Sequence, residues 1–212
     1  MYTRKLPIYI LIDTSGSMRG EPIESVKVGL RALFSALKKD PYANETVHIS
    51  IITFDREAKL ILPMTELAKV QLPTIPPLES SPTNMGEALE LMLKNYDKDV
   101  LRSSKTQKGD WMPLAVVMTD GSPSDTMLFG EMCQEVKKYP FARIIGCAAG
   151  PSGKTEPLKR FATDVVRLET MDSSGFSKFW QWVSQSFSRH SQSSSNDIGE
   201  LPPPPPEIKV AI

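Results

Sequence analysis

A chain of 212 residues can bury the core of one α/β domain and leaves a remainder too short for a second. Its 25 lysines and arginines balance 25 aspartates and glutamates, so no net field draws it toward nucleic acid or an anionic membrane. Neither is expected as a partner.

The first apolar run, Pro7 to Ile12, has strand length, is rich in β-branched and aromatic residues, and stops at Asp13-Thr14-Ser15-Gly16-Ser17. Arg4 and Lys5 before it mimic a signal peptide, but no small-residue cleavage site follows. No later stretch is long enough to cross a bilayer, so a cytoplasmic protein is expected. Beyond the strand a turn through Gly16 lets Asp13, Ser15 and Ser17 converge on one point instead of alternating between faces. Oxygen donors gathered in this way suit a hard cation, Mg²⁺ or Mn²⁺. With hydroxyls on the metal and few charges around it, the cation stays electron-poor and open to an anionic oxygen from outside. The same residues also suit a turn followed by a helix cap, and this motif alone does not decide between the two.

From Gly20-Glu21-Pro22 a helix is expected, with Ile23, Val26, Leu30, Leu33, Phe34 and Leu37 on one stripe and Lys38-Lys39-Asp40-Pro41 as its close. Val47 to Phe54 and Lys59 to Met64 read as strands joined by the tight turn Asp55-Arg56-Glu57, which makes one edge of the sheet antiparallel. His48 has no second His or Cys at ligand spacing and reads as a strand histidine. Pro73, Pro76, Pro77 and Pro82 exclude regular structure and bring Ser80 to Asn84 to the front of a helix that begins near Met85. Thr83 is either that helix's cap or a third neutral metal ligand. Asp97 to Gly109 reads as a frayed helix end and an exposed loop.

Pro113 to Met118 is a second near-continuous apolar strand, and it ends in Thr119-Asp120-Gly121. In a doubly wound sheet the carboxyl ends of neighbouring parallel strands line one crevice, where Asp13 and Asp120 would face each other. Two such carboxylates repel unless a cation lies between them. Asp125 reads as the cap of a helix holding Met127, Leu128, Met132, Cys133 and Val136. Ala142 to Ala148 is the next strand. Gly150-Pro151-Ser152-Gly153-Lys154-Thr155 resembles a phosphate-binding loop but has Ala148 where the first glycine belongs, so it reads as a strand-to-helix loop before Leu158 and Phe161. Cys133 and Cys147 read as buried thiols and not a disulfide framework. Val165 to Leu168 completes the sheet, and Phe176, Phe179, Trp180, Val183 and Phe187 form the buried stripe of a last helix. Beyond Ser188 come serines, Pro202 to Pro206 and an alternating end, Glu207 to Ile212. Three readings of this tail stand side by side: a strand added to a partner's sheet, prolines docked in an aromatic groove, or a disordered end.

Jointly, Asp13-x-Ser15-x-Ser17, Thr83 before a helix and Thr119-Asp120-Gly121 after an apolar strand resemble the metal-ion-dependent adhesion site of von Willebrand factor A domains. The resemblance covers about residues 5 to 188, and three motifs in the right order rarely coincide by accident. More narrowly, Ile12 to Met18, Gly20-Glu21-Pro22-Ile23, Ile52-Thr53-Phe54-Asp55, Lys108-Gly109-Asp110-Trp111 and the proline-rich tail are similar to the bacterial TerY-like subfamily of tellurium resistance proteins. That resemblance implies a cytoplasmic protein acting beside a protein kinase and a protein phosphatase in a tellurite or stress response. It also implies that Ser15, Ser17 and Thr83 touch the metal, with Asp13 and Asp120 acting mostly through water.

The expected architecture is therefore α/β and doubly wound: a mostly parallel sheet with one antiparallel edge strand and helices on both faces, over residues 1–188, followed by a tail of 189–212. The expected function is recognition without catalysis, with an Asp or Glu of a protein partner completing the metal's coordination. The alternative is a metal-dependent phosphoryl-transfer enzyme using Asp13, a weaker reading because Ser15 stands where the haloacid dehalogenase type has a second Asp. A two-metal hydrolase would also need more carboxylates than these five positions offer.

Overall fold

The computed structural model describes residues 4–75, 81–151, 153–192 and 202–211. In chain order the elements are β1 (Leu6–Asp13), α1 (Glu21–Lys39), α2 (Pro41–Thr46), β2 (Val47–Phe54), β3 (Ala58–Glu66), α3 (Met85–Asp99), β4 (Leu114–Thr119), α4 (Thr126–Val136), β5 (Arg143–Ala148), α5 (Glu156–Lys159), β6 (Asp164–Leu168), α6 (Ser173–Gln192) and β7 (Ile208–Val210). They build one seven-stranded sheet in the order β3-β2-β1-β4-β5-β6-β7.

Every residue of β1 is buried, as a central parallel strand requires when helices cover both faces. Its side chains alternate: Ile8, Ile10 and Ile12 join the core under α1 and α6, while Tyr9 and Leu11 join the core under α3 and α4. β1 pairs in parallel with β2 on one side and β4 on the other, and β5 and β6 continue the parallel run. β3 closes one edge antiparallel to β2 across the expected turn. Because the chain leaves β1 first toward β2 and returns later to β4, the strand order reverses at β1. The crevice beyond the carboxyl ends of β1 and β4 is thus the place where an open α/β sheet binds ligands.

α1 carries Pro22 in its first turn, acidic Glu21 and Glu24 at its start and Lys38 and Lys39 at its end, all favourable to the helix dipole. Its buried stripe is the expected one and packs on α6, whose Phe176, Phe179, Trp180, Val183 and Phe187 are buried. The two helices approach closely at Gly29, where an added Cβ would overlap the Trp180 indole. Since Trp180 is fully buried, the ring has nowhere to retreat. Gly29→Ala is expected to lower stability by about 1–2 kcal/mol, overpacking outweighing the gain in helix propensity. An unchanged or raised urea midpoint would contradict this close approach.

Several features differ from the sequence reading. Asp40-Pro41 closes α1 and also opens α2, because the Asp40 carboxylate accepts from the Tyr42 and Ala43 amides. The loop expected to be exposed is so from Leu101 to Lys108, but Gly109 is buried, and Asp110 after it is buried and accepts from the amides of Lys5 and Leu101. The Arg4 guanidinium stacks beside it, 3.6 Å from the Trp111 ring centroid. α6 runs to Gln192, past the expected domain end at 188. The described part of the tail finds partners within the chain: β7 pairs antiparallel with β6, and the Pro202 carbonyl accepts from the Trp182 indole at 2.7 Å. The reason is the exposed edge that β6 would otherwise present, with Ile208 buried and Lys209 paired to Glu169 at 3.0 Å. A second antiparallel edge results. Pro76 to Ser80, Ser152 and Ser193 to Leu201 lie outside the described residues, so the phosphate-loop-like stretch is described only in part. Cys133 and Cys147 are free and buried. Among the described residues no helix is long and apolar enough to cross a membrane.

Candidate metal centre

The site begins where β1 ends. Asp13 is 0% exposed, and the chain is then pinned to the neighbouring strand as the Thr14 amide donates to the Phe54 carbonyl at 2.8 Å and the Thr14 hydroxyl to Asp55 at 3.1 Å. A 3-10 turn, Gly16–Met18, follows, with the Met18 amide donating to the Ser15 carbonyl and the Met18 side chain buried. This turn, rather than a left-handed glycine, curls the loop: Gly16 keeps a negative φ, and the left-handed residue is Gly20 (φ 86°), where the chain enters α1. The Ser15 and Ser17 hydroxyls come within 3.3 Å of each other. The Ser15 amide donates to Asp13 Oδ1 at 2.8 Å, orienting the carboxylate.

β4 delivers the other half. Register places Ile12 opposite Met118, so the ends of the two strands lie level. The Thr119 hydroxyl donates to Asp13 Oδ2 at 2.5 Å, and the Ser17 hydroxyl donates to Asp120 Oδ1 at 2.8 Å. Thr83 arrives from the loop before α3. Its Oγ1 lies 3.6 Å from where a Cβ on Gly121 would stand, so it borders the Asp120 loop. Its amide donates to Ser124 Oγ at 3.0 Å, and its carbonyl accepts from the Ser124 amide at 2.8 Å. Asp13, Ser15, Ser17, Thr83 and Asp120 thus all sit on the carboxyl edge of the sheet. Burial is graded across them: Asp13, Ser15 and Thr83 are buried, Asp120 is half-buried and Ser17 is exposed. The cluster opens to solvent on the Ser17 and Asp120 side.

The donor chemistry fits a hard divalent cation. Burial pushes the Asp13 carboxyl up to about 6, against the opposing pull of hydrogen bonds from Ser15 and Thr119, with the Asp120 charge adding to the rise. Among the described residues neither Asp13 nor Asp120 forms an ion pair with Lys, Arg or His. A divalent cation would compensate both carboxylates. No group of three or more His, Cys, Asp or Glu among the described residues is placed to hold a metal, so an ion here depends on the hydroxyls of Ser15, Ser17 and Thr83 alongside the two carboxylates. Oxygen donors of this kind favour Mg²⁺ or Mn²⁺ over softer metals.

Sequence reasoning gave no supporting role to Thr119 or Ser124 and read Asp125 as the cap of the helix that follows it. Thr119 orients Asp13, Ser124 brackets Thr83, and Asp125 caps α3 instead of its own helix: it accepts from the Gly86 and Glu87 amides at 3.1 and 2.9 Å and makes no cap bond to α4. Thr119, directly before Asp120, was the one with a local signal. The partners of Ser124 and Asp125 lie about forty residues away and had none.

Comparison with known proteins gives the same frame. The von Willebrand factor type A domain family matches residues 8–177. No curated protein matches. Among solved structures, proximal thread matrix protein 1 from the mussel byssus, in a form with a zinc-occupied MIDAS motif, is 14% identical with a TM-score of 0.60, over 87% of this chain and 48% of its own. A von Willebrand factor type A protein from Catenulispora acidiphila is 14% identical with a TM-score of 0.65, over 88% and 43%. The pilus adhesin SpaC of Lactobacillus rhamnosus GG is 8% identical with a TM-score of 0.70, over 90% and 31%. The chain spans less than half the length of these three proteins, and at such identities the likeness concerns the fold. With the family matched from the middle of β1 into α6, and with its sheet order closing on a switch-point cluster of two aspartates and three hydroxyls, the chain belongs to the von Willebrand factor type A domain family.

Proposed function

We propose that the chain is a recognition module in which a divalent cation, held by Ser15, Ser17 and Thr83 with Asp13 and Asp120, keeps one side toward solvent for a carboxylate oxygen of a partner's Asp or Glu. The observation that carries this reading is the pair of carboxylates that form no ion pair among the described residues, surrounded by hydroxyls and open on one side. When bound, the ion supplies a Lewis-acidic position for that oxygen; the protein's own residues orient the donors and exclude water from Asp13. The buried Asp13, with each oxygen already accepting a hydrogen bond, favours binding over the phosphoryl-transfer alternative, in which it would have to attack. The ion is Mg²⁺ or Mn²⁺ in this reading, on the hardness of its donors.

The narrower setting rests on the resemblance to the TerY-like subfamily: a cytoplasmic protein working beside a protein kinase and a protein phosphatase in a bacterial tellurite or stress response. Capture of partners from bacterial lysate on the immobilised chain, in Mg²⁺ and again in excess chelator, tests the function. Proteins retained with Mg²⁺, released by chelator and absent from an Asp120→Ala column are the expected result. Full retention in chelator would overturn the mechanism.

A further inference from the structure

Two of the three hydroxyls, Ser15 and Ser17, come from one short turn and hold each other in place. The third does not. Thr83 must be delivered from a separate loop, and three sets of hydrogen bonds fix that loop. The Asn84 amide donates to the Asp55 carbonyl at 2.8 Å, and its side-chain amide to the Arg56 carbonyl at 2.8 Å, tying the loop to the β2–β3 turn. Ser124 brackets the Thr83 backbone from both sides. Asp125 then takes the Gly86 and Glu87 amides with its two carboxylate oxygens.

The last of these is unusual in its economy. The first amides of a helix need acceptors, normally from the helix's own N-cap. Asn84, at that position, makes no side-chain cap bond. Asp125 supplies the acceptors from another loop, and its charge also suits the positive end of the α3 dipole. The approach is close enough to require glycine: a Cβ on Gly86 would stand 2.6 Å from Asp125 Oδ2 and 2.5 Å from the Phe129 amide nitrogen. The loop that carries Asp120 thus also grips the turn that follows Thr83.

We propose that Asp125, seconded by Ser124, is the positioning residue for the Thr83 hydroxyl at the cation. It acts through the first turn of α3 and touches neither ion nor partner. This rests on the metal-binding reading above.

Mn²⁺ titration of the full chain by calorimetry tests it, with Asp125→Ala, Thr83→Ala and the double variant compared with the parent. Asp125→Ala is expected to weaken Mn²⁺ binding about 10-fold, the scale of residues that orient metal ligands, and Asp125→Asn to recover part of it. In the Thr83→Ala background the same change is expected to weaken binding no further. A merely structural role would lower affinity equally in both backgrounds. Unchanged affinity in Asp125→Ala, or full additivity in the double variant, overturns the positioning role while leaving the metal site standing. No heat from the parent chain overturns both. Should Asp125→Ala fail to fold, Ser124→Ala carries the same comparison, with a smaller loss expected in the parent and none beside Thr83→Ala.

Discussion

Asp13→Asn is expected to weaken divalent-cation binding about 100-fold, the upper range for a group that orients metal ligands, and at the same time to stabilise the metal-free protein at pH 7.5. The two effects have one origin. Burial raises the Asp13 carboxyl from 3.8 to about 6, so the group's folded-state pKa lies above its unfolded value. Its contribution to stability is fully present below pH ~4 and is lost as pH rises through ~6, reaching about 3 kcal/mol of destabilisation once ionised. Asparagine removes that charge. Its oxygen can still accept from the Ser15 amide, but its amide leaves the Thr119 hydroxyl without its acceptor, so the net gain is about 1–2 kcal/mol. Urea unfolding at pH 7.5 and at pH 4.5 checks the sign: the variant gains over the parent at the higher pH and not at the lower. Equal stability at both, or retained cation affinity, would show that Asp13 is not the strained carboxylate of a metal centre.

Asp110→Ala is expected to unfold more easily by about 2 kcal/mol, because it leaves two part-buried amides without the buried carboxylate that now accepts from them. Asp110 accepts from Lys5 N at 2.9 Å and Leu101 N at 2.8 Å, with the Lys5 ammonium 3.6 Å away. It pins the start of β1, at the end of the strand opposite Asp13. Cation binding should therefore survive under conditions where the variant remains folded. Asp110→Asn keeps one acceptor oxygen and loses less. A shift within about 0.5 kcal/mol for the alanine variant would place Asp110 among ordinary surface residues.

These two aspartates also show what the sequence could reveal. Asp13 was legible because its signal is local: an apolar run of strand length breaks at a carboxylate, and Ser15 and Ser17 follow at alternate positions. Asp120 was legible from the rule that neighbouring parallel strands end on one edge, and Thr83 from a hydroxyl set before a helix. The sheet itself was legible from the apolar runs of β1 and β4 and from the helical stripes of α1 and α6. Asp110 and Asp125 were not, because each finds its acceptor role in a segment distant along the chain; Asp125 was expected to cap the helix that follows it, and it caps α3 instead. The place of β7 was left open for a related reason. Its alternating pattern marks a strand but not which edge it seeks, and the open edge of β6 is a property of the assembled sheet.

The account stands on hydroxyls and carboxylates from three separate loops acting as one cation site. Titration of the chelator-treated chain with Mg²⁺ and Mn²⁺ at pH 7.5, followed both by heat and by thermal unfolding, tests this most directly. Saturable heat and a melting temperature that climbs with cation concentration are the predicted result, each sharply reduced in Thr83→Ala. An unmoved melting temperature with no heat at millimolar cation, or a Thr83→Ala chain that binds as well as the parent, would contradict it.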